Sequence, residues 1–569
     1  MDQSDQTIRR FWVFFPALLF CLLYLPNLGV APLSLVESMA ALGSIDSSLL
    51  AGGDRGVVTY PLYPFLVGVI RQAVGNNEWA VRLPSVLAML GMTVVAGLTM
   101  GLYTQRREPI VVAMLMAFSP AVAVAAGRTA TGQGLTAFLI SSGWFAWYYL
   151  GRRKHRWSLA WASALALTLL AAFHTGPKAF VIFYFPLMFM RRPFKIWRRL
   201  RMPQHLACML VAFLIFVFWF QGQMRDSFLL PLEFALTEPG ASLRGVLAFP
   251  FHLFLAFLPA PLFFWPGFCA AFRPLEKNRE MASFLRTLII PLFLVFWLIP
   301  PSRPSDLLVL VVPLALLAGM HYEILVRRYA HLFNRIMPWL EYALALLAGI
   351  VALSWLLVLV GVVEIEALPR LQAVTALAAA LGAGAVMLEQ RYCGQPRWFW
   401  LRTATVVVGA HLLFATSWQP INSLFLQMPR NRAEVLRQEI PGNQEVYKLT
   451  ALSLPREAYY LQRRVVVLDS PTRLSGRRKP VFVLGGYNPP MLEQFDWNVA
   501  SPLVDVTVEY YPSLEWRPAR WTMLAVRRRQ QADDQHEILT SVRIYHGLPR
   551  PQASDHDHES GGETIPPPP

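Results

Sequence analysis

Three carboxylates, Glu37, Asp46 and Asp54, fall within PLSLVESMAALGSIDSSLLAGGD, residues 32–54, with hardly any other charge around them. The stretch follows at once on the apolar run FWVFFPALLFCLLYLPNLGV. A carboxylate at a water boundary keeps its charge and can accept or position the proton of a polar acceptor, which is general-base chemistry. Single basic residues stand in comparable settings: Arg82 in NEWAVRLPS, Arg128 in AVAAGRTATGQG and Lys178 in FHTGPKAF. A guanidinium or ammonium there can hold an anion, or stabilise charge that develops on a leaving group. Each residue also has a structural reading. Glu37 and Asp46 can be solvated helix acids, Asp54 a turn aspartate before Arg55, and Arg82 a boundary arginine that snorkels. His174 and His252 read as acid–base groups or as hydrogen-bonded boundary histidines. Tyr60 and Tyr63 suit sugar stacking and interfacial anchoring equally.

The surrounding chain is a membrane protein. Of 569 residues, 55% are apolar and only 15% charged, against about 25% charged in soluble domains. A span needs roughly 20 apolar residues. Qualifying runs begin near Phe11, Leu83, Pro109, Gly134, Trp157, Pro177, Leu206, Val246, Phe284, Leu307, Trp339, Leu371 and Trp398, which makes about 13. The first is too long and aromatic for a cleaved signal peptide, so a retained span is expected. Basic clusters follow every second span: QRRE, GRRKHR, RRPFKIWRRLR, RPLEKNRE, VRRYAHLFNR and EQRYCGQPR. This is the positive-inside pattern. It places the N-terminus in the cytoplasm and residues after about 419 outside, in the cell (inner) membrane. It also accounts for the net charge of +16 without nucleic acid as a partner. The four cysteines imply no disulfide framework, and no Gly-rich phosphate loop, metal cluster or Ser-His-Asp set stands out. No cofactor is indicated; a divalent metal is compatible with the sequence but not indicated by it.

The carboxylate stretch therefore opens an external loop, residues 31–82. Val36, Met39, Ala40, Gly43, Ser47 and Leu50 recur at steps of three and four, which predicts a surface helix ended by the glycines before Asp54. PLYPFLVGVI is too short to span and predicts a second. From residue 420 the texture becomes that of a soluble α/β domain, 420–530. Strands are predicted at EVYKLT, VVVLD, KPVFVLGGY, VDVTVEYY and WTMLAVRR. Residues 531–569 are expected to be mostly disordered, with DHDHE read as a solvated charge run. The expected fold class is thus an all-α polytopic membrane bundle, residues 1–419, with a small α/β extracytoplasmic domain.

Several segments resemble the type C membrane glycosyltransferases, the aminoarabinose-transferase and protein-mannosyltransferase relatives. NEWAVRLPSVLAML resembles the segment after that family's first external loop, and TYPLYPFL its Pro-Pro-Leu-Tyr segment. AVAAGRTATGQGLTAFL, FHTGPKAFVIF and LIPPSRPSDLLVLVVPLALLAG are similar to later family turns, and residues 440–470 to the family's periplasmic domain. The resemblance implies a polyprenyl-phosphate-linked sugar donor and an extracytoplasmic lipid, glycan or protein acceptor. It implies an external carboxylate as base, here Glu37 or Asp54. Tyr60, Arg82, Arg128, Lys178 and Arg303 would bind substrate and the departing lipid phosphate. The chain departs from the pattern where Val36 stands for the first family acid, Gln133 for a later Asp and Thr175 for a Lys. Three readings follow: a working transferase, a catalytically silent relative that binds polyprenyl lipid, or a multi-pass transporter. Few ionisable residues at mid-span and no inverted repeat weigh against transport.

Overall fold

The computed structural model describes residues 62–104, 106–190, 194–219, 260–298 and 304–361, and parts of 16–41, 247–257, 374–384, 446–468, 481–508 and 540–549. The chain divides into two compact units, a helical one and a second that contains most of residues 429–569.

In the helical unit, residues 16–24 form α1. The two helices α2, Leu62–Val74, and α3, Glu78–Tyr103, follow the carboxylate stretch. Asn77 starts α3, because its side chain accepts a hydrogen bond from the Ala80 N–H at 2.7 Å and so satisfies one of the orphan donors of the first turn. Glu78 adds a negative charge beside the positive end of the helix. The chain continues as α4, Arg107–Phe118, and α5, Ala121–Arg128. Next come α6, Gln133–Ala146, a π-helical turn Trp147–Arg153, α7, Trp157–Thr175, and α8, Lys178–Met188. Last are α9, Pro203–Trp219, α10, Arg279–Leu298, and α11, Val311–Val360.

Four described segments are long and apolar enough to cross a membrane: α3, α7, α10 and the second part of α11 from Glu341. The pair α4 and α5 passes the same test together, but it bends by 58°. Pro120 is the cause, since it has no N–H to continue the hydrogen-bond ladder of α4. The sequence predicts one straight run there. A larger difference lies at VRRYAHLFNR, read as a basic loop between two spans. The chain passes through it as a single 50-residue helix, roughly 75 Å at 1.5 Å per residue. The segment holds no glycine and no proline before Pro338, so nothing in it stops a helix. Spans read from near Leu371 and Trp398 fall almost wholly outside the described residues.

The core is built on close helix contacts and large aromatics. α3 packs against α2, α4 and α6, and α11 lies along α4. Gly319 permits that last approach, as a Cβ there would stand 2.7 Å from the Pro109 carbonyl. Small residues at such crossings are how membrane helices pack without a hydrophobic drive between them. Trp144, Trp147 and Trp161 are fully buried, and the Trp144 Nε1–H donates to the Phe183 carbonyl at 3.1 Å.

The second unit contains a sheet of six strands: β1 (Val446–Leu449), β2 (Val465–Leu468), β3 (Val481–Gly485), β4 (Trp497–Val499), β5 (Val504–Val508) and β6 (Thr540–Pro549). Its order is β2-β1-β3-β6-β4, with β5 also pairing to β6. β1 runs parallel to β2 and β3, while β6 is antiparallel to its neighbours. Strands are found at EVYKLT, VVVLD, KPVFVLGGY and VDVTVEYY, as the β-branched content predicts. β6 lies in the stretch read as mostly disordered; its TSVRIY core is itself β-branched and aromatic, and this local signal was outweighed by the polar residues around it. WTMLAVRR lies outside the described residues.

Candidate functional site

Glu37 is the centre of the described polar cluster, and it is buried, at 2% exposure. Residues 37, 38, 40 and 41 are helical, as their spacing predicts, but they are buried, so Glu37 does not stand at a water boundary as expected of a surface helix. That turn aims the Glu37 carboxylate at Arg82 on the second turn of α3. Arg82 Nε donates to Oε1 at 2.8 Å and Nη2 donates to Oε2 at 3.1 Å, a two-pronged ion pair. The Ala130 N–H donates to the same Oε1 at 2.9 Å. Arg82 also donates through Nη1 to the Leu28 carbonyl at 2.6 Å, which ties the turn after α1 to α3. Arg82 is 4% exposed. It is a buried partner rather than a snorkelling boundary residue. Planar guanidinium and carboxylate forks match in this way, and their charge-assisted bonds are about twice as strong as neutral ones.

Arg128 closes α5 next to this pair. It is buried, and its Nη1 donates to the Leu23 carbonyl at 2.6 Å. The chain then turns through Ala130 to Gly132, which has φ +70°. A side chain at Gly132 would put its Cβ 2.0 Å from His174 Nε2. His174 therefore lies directly against this turn, with the Tyr63 ring 5.7 Å away on its other side. His174 Nδ1 and Thr131 Oγ1 are buried polar atoms without a hydrogen-bond partner among the described residues. Tyr63 pairs with Ser85 Oγ at 2.8 Å and donates to the Val81 carbonyl at 3.2 Å. Burial holds its phenol well above the usual range, against the smaller opposing effect of Ser85, so it remains a neutral hydrogen-bonding group.

Lys178 opens α8 and is half-exposed. Its Nζ pairs with Asp306 Oδ1 at 2.9 Å and lies 5.6 Å from the centre of the Phe296 ring. Asp306 sits on the short 3₁₀ segment Pro304–Leu310, which packs against both α5 and α6. The Lys178–Asp306 pair thus stands alongside the helix that carries Arg128. All these groups gather at one end of the bundle. The described basic clusters at 106–107, 152–156, 195–201 and 273–279 lie at the opposite helix ends. Arg82 to Tyr103 on α3 alone spans about 31 Å at 1.5 Å per residue, close to the thickness of a bilayer's hydrocarbon core.

The structure brings Glu37, Arg82 and the Arg128 turn together and sets Lys178 beside them. Asp54, Tyr60 and Arg303 lie outside the described residues, as do Asp46 and His252. Gln133 begins α6, one residue past Gly132. Two residues were missed in the sequence as site members, Asp306 and Ser85. The signal for Asp306 was present: it is the one acid in SRPSDLLVLVV, on the same predicted face as Lys178. Ser85 gave none, being a small polar residue inside an apolar helix. Among the described residues no group of His, Cys, Asp and Glu could hold a metal ion.

The family described as dolichyl-phosphate-mannose-protein mannosyltransferase matches residues 58–220, the segment from α2 through α9. No curated protein sequence matches the chain. In fold, the chain is similar to ArnT from Cupriavidus metallidurans. The apo crystal structure of that protein superposes with a TM-score of 0.62 at 14% identity, covering 89% of this chain and 97% of that one. The crystal structure of ArnT bound to undecaprenyl phosphate superposes with a TM-score of 0.61 at 13% identity, covering 96% and 98%.

Proposed function

We propose that this protein is an integral membrane glycosyltransferase that moves a sugar from a polyprenyl-phosphate-linked donor to an acceptor on the far side of the inner membrane. The observation that carries this reading is the gathering of Glu37, Arg82, Arg128 and the Lys178–Asp306 pair at the charge-poor end of a bundle folded like a protein crystallised with undecaprenyl phosphate. In this reading the C-terminal sheet belongs to an extracytoplasmic α/β domain, and about 13 spans complete the membrane body.

The division of labour follows from what each group already does. Lys178 is half-exposed and can move from Asp306 to an incoming lipid phosphate at small cost, since exposed pairs contribute about 0–1 kcal/mol. Arg128 and Arg303 would add positive charge where the phosphate departs, and Tyr60 would face the sugar. The acceptor's proton goes to a carboxylate, Glu37 or Asp54. Glu37 must loosen from Arg82 to take it, and substrate phosphate competing for Arg82 supplies a physical means.

A second reading is favoured by one specific observation. Glu37 already accepts three hydrogen bonds in a buried pair. A carboxylate so held makes a weak base, and a relative that binds polyprenyl lipid without transferring sugar would keep it for structure. The discriminating experiment uses membranes containing the protein and a labelled polyprenyl-phosphate sugar. Transfer that disappears in Asp54→Asn or Glu37→Gln supports the first reading. Lipid binding without transfer supports the second.

A further inference from the structure

At the basic end of the bundle, far from the site above, α3, the π-helical turn and the start of α10 border an open-sided cavity of about 550 Å³. Its polar walls are built by Arg152, Arg153, His155, Tyr103, Tyr148 and Asn278. The two guanidiniums are pre-positioned. Arg152 Nε donates to Glu280 Oε1 at 2.5 Å, and Nη2 reaches Oε2 at 3.4 Å. Arg153 Nη1 donates to the Leu102 carbonyl at 2.6 Å, and the group stands over the Tyr103 ring at 5.5 Å. The remaining N–H donors of Arg153 have no partner among the described residues. Two arginines against one glutamate leave the walls net positive. His155, a non-glycine residue, is held at φ +56°. That backbone region costs a residue with a Cβ about 1–2 kcal/mol. Such outliers persist where the surroundings impose them, frequently at ligand sites.

This cavity lies at the C-terminal end of α3, a helix long and apolar enough to cross a membrane. Leu102 forms part of its wall, and from it an exposed apolar stripe runs down α3: Leu102, Leu98, Val94, Leu90 and Leu87. The steps of three and four residues keep the stripe on one helix face. It is the surface on which an acyl chain lies, and it ends at a positively charged pocket.

We propose that this cavity binds the phosphodiester head group of an anionic phospholipid, with the acyl chains along the Leu87–Leu102 face of α3. Arg153 and Arg152 take the phosphate oxygens, and the tyrosine hydroxyls and Asn278 take the remainder of the head group. The bound lipid joins α3, the π-helical turn and α10 at the basic face. The site is independent of the transfer reaction proposed above.

The test uses the full chain in nanodiscs of phosphatidylcholine mixed with phosphatidylglycerol, followed by native mass spectrometry of the released protein. The parental protein retains phosphatidylglycerol in preference to phosphatidylcholine. Arg153→Gln loses that preference about tenfold, the effect of one charge-assisted hydrogen bond set. Arg156→Gln, the same charge change in the same loop but outside the cavity, retains it. A photoreactive phosphatidylglycerol added to the unmodified protein labels peptides containing Tyr103 or His155. An equal loss in both variants, or labelling elsewhere, overturns the proposal. Complete displacement by millimolar inorganic phosphate overturns it too, because the ligand would then be a free anion.

Discussion

Replacing Glu37 by Gln tests the central pair most severely. The carboxylate is 2% exposed and its partner Arg82 is 4% exposed. Gln keeps the size and can still accept from the Ala130 N–H, but it removes the negative charge. Arg82 then remains charged and buried, with a neutral amide in place of its carboxylate partner. Breaking one side of a buried pair costs about 3–5 kcal/mol, because the other charge is left uncompensated. In thermal unfolding of the detergent-solubilised protein, Glu37→Gln should lower the melting temperature by several degrees. The double variant Glu37→Gln with Arg82→Gln removes both charges and leaves two amides that can bond each other, Leu28 and Ala130. It should melt above the Glu37→Gln single variant, with a coupling of about 1–3 kcal/mol. Transfer activity of the Glu37→Gln single variant, which keeps Arg82, then separates structure from chemistry. If Glu37 is the base, transfer stays abolished at a temperature where the variant remains folded. If Glu37 only supports the fold, transfer at that temperature persists. A Glu37→Gln protein that melts within a degree of the parent, or a double variant whose loss equals the sum of both singles, would refute the reasoning about the buried pair.

Other predictions follow from the same geometry. Lys178→Ala should leave the melting temperature nearly unchanged, because its pair with Asp306 is half-exposed, yet weaken polyprenyl phosphate binding; titration with the lipid reads both the affinity and its absence of change. Gly132→Ala should destabilise the protein, since the added Cβ meets both a left-handed backbone and the His174 ring; Gly132→Ala with His174→Ala should recover part of the loss in the same melt. Single cysteines at Thr129 and Lys154, in a protein without its native cysteines, should be labelled from opposite faces of the membrane, and labelling from one face contradicts the helix-end assignment.

Much of this architecture was legible in the residues, and the misses have physical causes. The short helix at Leu62–Val74 could be read from an apolar run too brief to span, whereas hydropathy put the start of α3 near Leu83 and passed over the Asn77 cap and Glu78. Hydropathy places apolar segments but not the breaks within them. It missed the Pro120 bend, and it read a loop at VRRYAHLFNR because charge suggests an interface even where every residue supports a helix. The site was legible in kind and not in pairing. Glu37 and Arg82 were both singled out, but 45 residues separate them, and no periodic signal spans that distance. Reading them separately gave one as a base and the other as a phosphate-binding or boundary arginine. The fold makes them a single unit. Asp306 is visible as the one acid in its segment, but its pairing is not, as its partner Lys178 lies 128 residues earlier.

The account rests most directly on sugar transfer from a polyprenyl-phosphate carrier. Membranes carrying the full-length protein should move label from such a donor to an extracytoplasmic acceptor, and membranes carrying Lys178→Ala should do so more slowly at limiting donor. A protein that binds polyprenyl phosphate and moves no label from any of a panel of donor sugars would contradict it.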